Sequence, residues 1–94
     1  MKKMFNEEIK VETRMLNRMG FDNLYNETFE KEYGEYVVTI YFMNEEDVDE
    51  LEMSGTAYCY EPNVYYLFKK DEMDKEICSR ETLEEILDEM KRIR

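Results

Sequence analysis

The stretch from Glu35 to Met43, Glu-Tyr-Val-Val-Thr-Ile-Tyr-Phe-Met, limits the folds open to this chain more than any other. It is dense in β-branched and aromatic residues, which suit a pleated, packed surface. Both faces of the resulting strand are apolar, so the strand belongs in the interior of a sheet with helices covering at least one face. Two amphipathic segments supply that cover. Near the start, Phe5, Ile9, Leu16 and Met19 recur at helical spacing, which predicts a helix from Asn6 to Met19 with Asn6 as N-cap and Gly20 as its stop. Near the end, Leu83, Ile86, Leu87, Met90 and Ile93 form one apolar stripe, with Ser79 read as the N-cap. Lys91, Arg92 and Arg94 fall where the helix dipole favours cations.

The remaining segments have the period of strands. Phe21 to Tyr33 reads as a strand, and Gly34 marks a turn. Asn44 to Glu52 supports two readings. Asn44 could cap a short helix carrying Val48 and Leu51. Alternatively, a loop runs to Glu50 and is followed by a strand, bent at Gly55, ending at Tyr60. The second reading is preferred. Glu61-Pro62-Asn63-Val64 then makes a tight turn into a strand from Val64 to Lys69, forming a hairpin. Lys75 to Cys78 adds a short edge strand. The expectation is a single α+β domain over residues 1–94: an antiparallel sheet of four strands, or five with the edge strand, between an N-terminal and a C-terminal helix in the order α-β-β-β-β-α. That helix–strands–helix order is similar to the order in double-stranded RNA-binding domains. Those domains carry basic residues at the nucleic-acid face, whereas the last helix here is acidic, so the likeness concerns shape alone.

Charge is the second constraint. The chain has 24 acidic and 13 basic residues, a net charge of -11. Between Asp22 and Glu89 lie 21 acidic and 5 basic residues, so the middle is more acidic than the whole, and both ends are basic. Such a body repels nucleic acid and anionic membranes and attracts basic protein surfaces. No apolar run approaches the roughly 20 residues of a membrane helix, and no signal peptide is evident, so a cytoplasmic protein is expected. Cys59 and Cys78 read as two reduced thiols.

Catalysis finds little support. There is no histidine, and the three glycines stand apart rather than forming a phosphate loop. Two cysteines without histidine exclude the usual zinc sets, and the acidic run from Glu45 to Glu52 lacks the glycine and spacing of a calcium loop. Neither enzyme chemistry, nor a cofactor, nor a metal is expected.

The surface is more informative. Glu81, Glu84, Glu85 and Asp88 are i,i+3 or i,i+4 neighbours, an arrangement that costs helix stability. An array of carboxylates can imitate a phosphate backbone and occupy the Lys/Arg channel of a nucleic-acid enzyme. Tyr58, Tyr60, Tyr65 and Tyr66 flank the Pro62 turn, and a tyrosine beside acid is a good anchor for arginine. Adjacent Tyr65 and Tyr66 must point to opposite faces of a strand. The expected partner-binding residues are therefore Glu45, Glu46, Asp47, Asp49, Glu50, Tyr58, Tyr60, Tyr65, Glu81, Glu84, Glu85 and Asp88. In size, charge and fold type the chain resembles small acidic proteins of phages and mobile elements, including several anti-CRISPR inhibitors. That resemblance implies an inhibitor acting by charge mimicry on a basic protein surface. Two other classes fit the same surface: an immunity or antitoxin-type protein neutralising a basic toxin, and a structural or regulatory homodimer. In the homodimer, the basic stripe Lys3, Lys10, Arg14 and Arg18, with Met4, Val11 and Met15 beside it, would meet an acidic surface.

Overall fold

The computed structural model describes residues 2–25, 27–55 and 60–93. Five strands form one antiparallel sheet whose spatial order follows the sequence. They are β1 (Asp22–Tyr25), β2 (Thr28–Tyr33), β3 (Tyr36–Tyr41), β4 (Tyr65–Lys69) and β5 (Glu72–Arg80). Helix α1 (Asn6–Arg18) precedes the sheet, α2 (Glu45–Ser54) lies between β3 and β4, and α3 (Leu83–Arg92) follows. The fold is α+β, as expected, with β3 at the centre of the sheet.

Alternation along the strands separates two faces. On one face, Phe29, Val38, Ile40, Tyr65 and Leu67 pack with Ile9 and Leu16 of α1 and with Leu83, Ile86 and Met90 of α3, in one buried cluster. The registers Phe29↔Ile40 and Val38↔Leu67 put these side chains opposite one another on neighbouring strands. On the other face, Tyr66 and Phe68 join Val64 in a second buried cluster. Val37, opposite Phe68, is also buried there. Gly34 adopts a positive φ of 64° in the two-residue turn that closes the β2–β3 hairpin at Tyr33↔Tyr36.

Several boundaries differ from expectation. Residue 44 opens a helix, not a loop: the Asn44 side chain accepts the Asp47 N–H at 2.9 Å, three acidic residues occupy the first turn, and Gly55 ends the helix at a φ of 67°. Leu51 to Ser54 are helical, so the expected strand to Tyr60 is absent there, and Tyr60 lies outside any strand. Its middle, Thr56 to Cys59, lies outside the described residues. Among the described residues no hairpin forms across Pro62. Instead β4 pairs with β3 and β5. The edge strand is nine residues long and runs through Ser79, which pairs with Tyr66; the α3 cap is Thr82, whose Oγ1 accepts the Glu85 N–H at 3.2 Å. The α1 cap is Phe5 rather than Asn6, and the Phe5 N–H donates to the Glu8 carboxylate.

Candidate functional site

Helix α2 carries six carboxylates in ten residues, and its first turn holds Glu45, Glu46 and Asp47. The dipole at the N-terminus offsets part of their repulsion. Val48 is the one buried residue of α2, and Leu51 is half-buried, so the helix turns most of its surface outward. Glu46, Asp47 and Glu50 are exposed. Asp49 is engaged by Lys3 at 2.6 Å, and this contact, together with the charge of Asp49, raises the Lys3 pKa above its ordinary value. Lys3 therefore serves as a counter-charge to α2 and is not part of a basic stripe on α1. Met4, expected at the surface beside that stripe, is buried and bridges to Asn44.

The second carboxylate group lies at the start of α3. Glu81, Glu84, Glu85 and Asp88 are all exposed, and Glu85 accepts a hydrogen bond from the Thr82 hydroxyl at 2.9 Å. One turn further on, Glu89 is half-buried and bonded to both Arg80, at 3.2 Å, and Arg92, at 3.1 Å. The N-terminal segment runs between the two acidic helices. Lys3 reaches Asp49 of α2, and the Lys2 ammonium donates to the Glu81 carbonyl at 3.1 Å.

Among the described residues, the acidic side chains in ion pairs are Glu7, Glu32, Asp49 and Glu89. Glu46, Asp47, Glu50, Glu81, Glu84 and Asp88 face solvent and form no ion pair among the described residues. No group of three or more potential metal-ligating side chains converges among the described residues, and none of their helices is long and apolar enough to cross a membrane.

Tyr65 and Tyr66 do not join these acids at the surface. Tyr65 is 1% exposed on the helix-covered face, where its hydroxyl donates to Glu12 Oε1 at 2.8 Å, so it is a core residue and not a surface anchor. Burial, with the Glu12 carboxylate second, pushes its phenol pKa well up. Tyr66 does point to the opposite face, but it is buried too, among Val64, Phe68 and the Tyr60 ring. Its hydroxyl accepts the Glu61 N–H at 2.8 Å. Tyr60 remains 40% exposed, its ring edge-on to those of Tyr66 and Phe68 at 5.0 and 5.7 Å. It lies on the face away from α1 and α3. Tyr58 lies outside the described residues.

Two concavities were not foreseen. One, of about 510 Å³, opens between α1, the end of β3 and the start of α2, and is lined among others by Lys10, Glu27, Tyr41 and Asp47. The other, of about 350 Å³, is a largely apolar groove between α1 and α3 with Met15, Met19, Leu83 and Leu87 in its walls. The sequence signals both helices' apolar stripes, but only packing decides which methionines and leucines stay at the rim. No protein-family model, curated protein or solved structure matches this chain.

Proposed function

We propose that the protein is a non-enzymatic binding protein whose acidic helices occupy a basic, nucleic-acid-binding surface of a partner protein. The carrying observation is the set of exposed carboxylates Glu46, Asp47 and Glu50 on α2 and Glu81, Glu84 and Asp88 at the start of α3, which form no ion pair among the described residues. A capped helix holds its carboxylates at about 5.4 Å per turn, whereas a loop would let them relax apart. Fixed like charges on one surface cost the fold stability, and a cationic partner would recover that cost on binding. A phage or mobile-element inhibitor active in the cytoplasm, directed at an enzyme such as a CRISPR effector, fits this chemistry.

The test is capture of partners from nuclease-treated lysate at low and high salt, with the wild-type chain and with the triple variant Glu46→Lys, Asp47→Lys, Glu50→Lys. A nucleic-acid-binding enzyme retained at low salt, released at high salt and lost with the variant supports the reading, because exposed ion pairs are screened by salt. Binding indifferent to both salt and the variant would exclude it.

A further inference from the structure

The geometry points to a second copy of this chain as the occupant of the groove between α1 and α3, in a two-fold dimer that sets α1 of each copy against α3 of the other. This does not rest on the binding role proposed for the acidic helices, although it engages Glu84 and Asp88 of that set and leaves the α2 carboxylates to a basic partner; the feature that carries it is a pair of opposite charges on the two banks of one apolar groove.

The groove has Met15 and Met19 on the α1 side and Leu83 and Leu87 on the α3 side. Met15, Met19 and Leu87 are only partly buried against the core, so the lining is incomplete within one copy. Val11, one helical turn before Met15, extends the apolar surface and is 64% exposed. Thioether side chains repack readily against a new surface.

The banks carry opposite charge. On α1, Arg14 and Arg18 are exposed and have no ion-pair partner among the described residues, whereas Lys3, Lys10 and Lys70 each have one. On α3, Glu84, Asp88 and Lys91 border the groove, none of them in an ion pair among the described residues, and the two carboxylates leave that bank net acidic. A basic bank and an acidic bank beside one apolar floor make a self-complementary patch, which is the requirement of an isologous interface. A two-fold axis along the groove exchanges the banks and preserves height along it. Met15, Met19, Leu83 and Leu87 line the same groove, so Arg14 and Arg18 of one copy then stand over Glu84 and Asp88 of the other. Two such sets form at once. A two-fold across the groove would instead oppose α1 to α1 and α3 to α3, setting like charges together.

The experiment is sedimentation of the full chain over a concentration series, with two reversal variants. Arg14→Glu with Arg18→Glu makes both banks acidic, and Glu84→Lys with Asp88→Lys makes both basic. Wild type is expected to dimerise, and each variant alone to dimerise at least about tenfold more weakly, as rim charges set partner choice. Mixed in equal amounts, the variants should associate with each other, because each bank again meets its opposite. A wild-type chain that is monomeric throughout the series overturns the proposal. So does a dimer that survives both reversals, or a mixture that remains monomeric. The α2 carboxylates lie outside the interface, so Glu46→Lys, Asp47→Lys, Glu50→Lys should leave the dimer intact; loss of partner capture with that variant and loss of dimer with these two are separate results.

Discussion

The Asn63 side chain and the Met43 backbone are joined twice: Asn63 Oδ1 accepts the Met43 N–H at 2.9 Å, and Asn63 Nδ2 donates to the Met43 carbonyl at 2.8 Å. The side-chain amide thus imitates a strand neighbour just past the end of β3. The same Nδ2 donates to the Lys2 carbonyl at 3.0 Å, and the Asn63 N–H donates to the Tyr41 carbonyl at 2.7 Å. Asn63 is fully buried at a φ of 64°, a conformation asparagine accepts more readily than most residues.

Replacing Asn63 should therefore be among the most damaging single changes. Asn63→Ala strands two carbonyls and one N–H and keeps the strained φ, for an expected loss of about 3 kcal/mol. Asn63→Gly relieves the backbone but not the orphaned groups, and should lose about 1 kcal/mol less. Urea midpoints for the two variants check both the size and the order.

Two tyrosine hydroxyls should respond in opposite ways to removal. Tyr65→Phe deletes the bond to Glu12 and should cost about 1 kcal/mol. The Tyr33 hydroxyl is buried without a hydrogen-bond partner among the described residues, so Tyr33→Phe should be neutral or stabilising by up to about 1 kcal/mol. Thermal unfolding of the pair tests this; a stabilised Tyr65→Phe would contradict the bond to Glu12.

Alkaline pH should weaken the fold. Burial raises the phenol pKa values of Tyr33, Tyr65 and Tyr66, in Tyr65 with help from Glu12. These groups keep their protons in the folded chain where the unfolded chain has lost them. Their contribution is complete below the unfolded value of about 10 and is lost as pH rises through the folded values. Unfolding free energy should begin to decline above about pH 8, where burial likewise holds the Cys78 thiol above its ordinary value, and fall more steeply above about pH 9.5 as the phenols titrate, and phenolate absorbance should lag for the buried rings.

The two helix caps should differ in reach. Asn44→Ala and Thr82→Ala each remove a side-chain acceptor worth about 1 kcal/mol. Helix α3 buries Leu83, Ile86 and Met90 in the main core, whereas α2 buries Val48 alone. The loss at Thr82 should appear as global destabilisation. The loss at Asn44 should appear as faster amide exchange confined to α2.

The elements most legible in the sequence were those whose pattern and packing agree. The Glu35 to Met43 run reads as a central strand, and Tyr36–Tyr41 within it is one; of the α3 stripe, Leu83, Ile86 and Met90 are buried, Leu87 is partly buried and Ile93 is exposed. Helix α2 was misread because Leu51, Met53, Ala57 and Cys59 also have strand period, and a helix with one buried residue leaves almost no stripe. Ser79 resembled a cap because the bulges in β5, between its pairings with Leu67, Phe68 and Lys69, break the alternation that would have carried the strand past it. The acidic surface was legible as charge. Its division between α2 and the start of α3 was not, since that depends on how the helices pack. Asn63 read as a turn residue, and nothing local announced bonding partners 20 and 61 residues away.

The strands lie side by side in the order in which they are made, so each pairing closes only the connection between consecutive strands, at small entropic cost. The N-terminal segment is the exception, since Lys2 bonds to residues 61 and 79 positions away. Residues 2–4 leave the ribosome before any of their docking sites exist. This segment is thus made before the elements it docks on, and Met4 can be buried only once they have assembled to receive it.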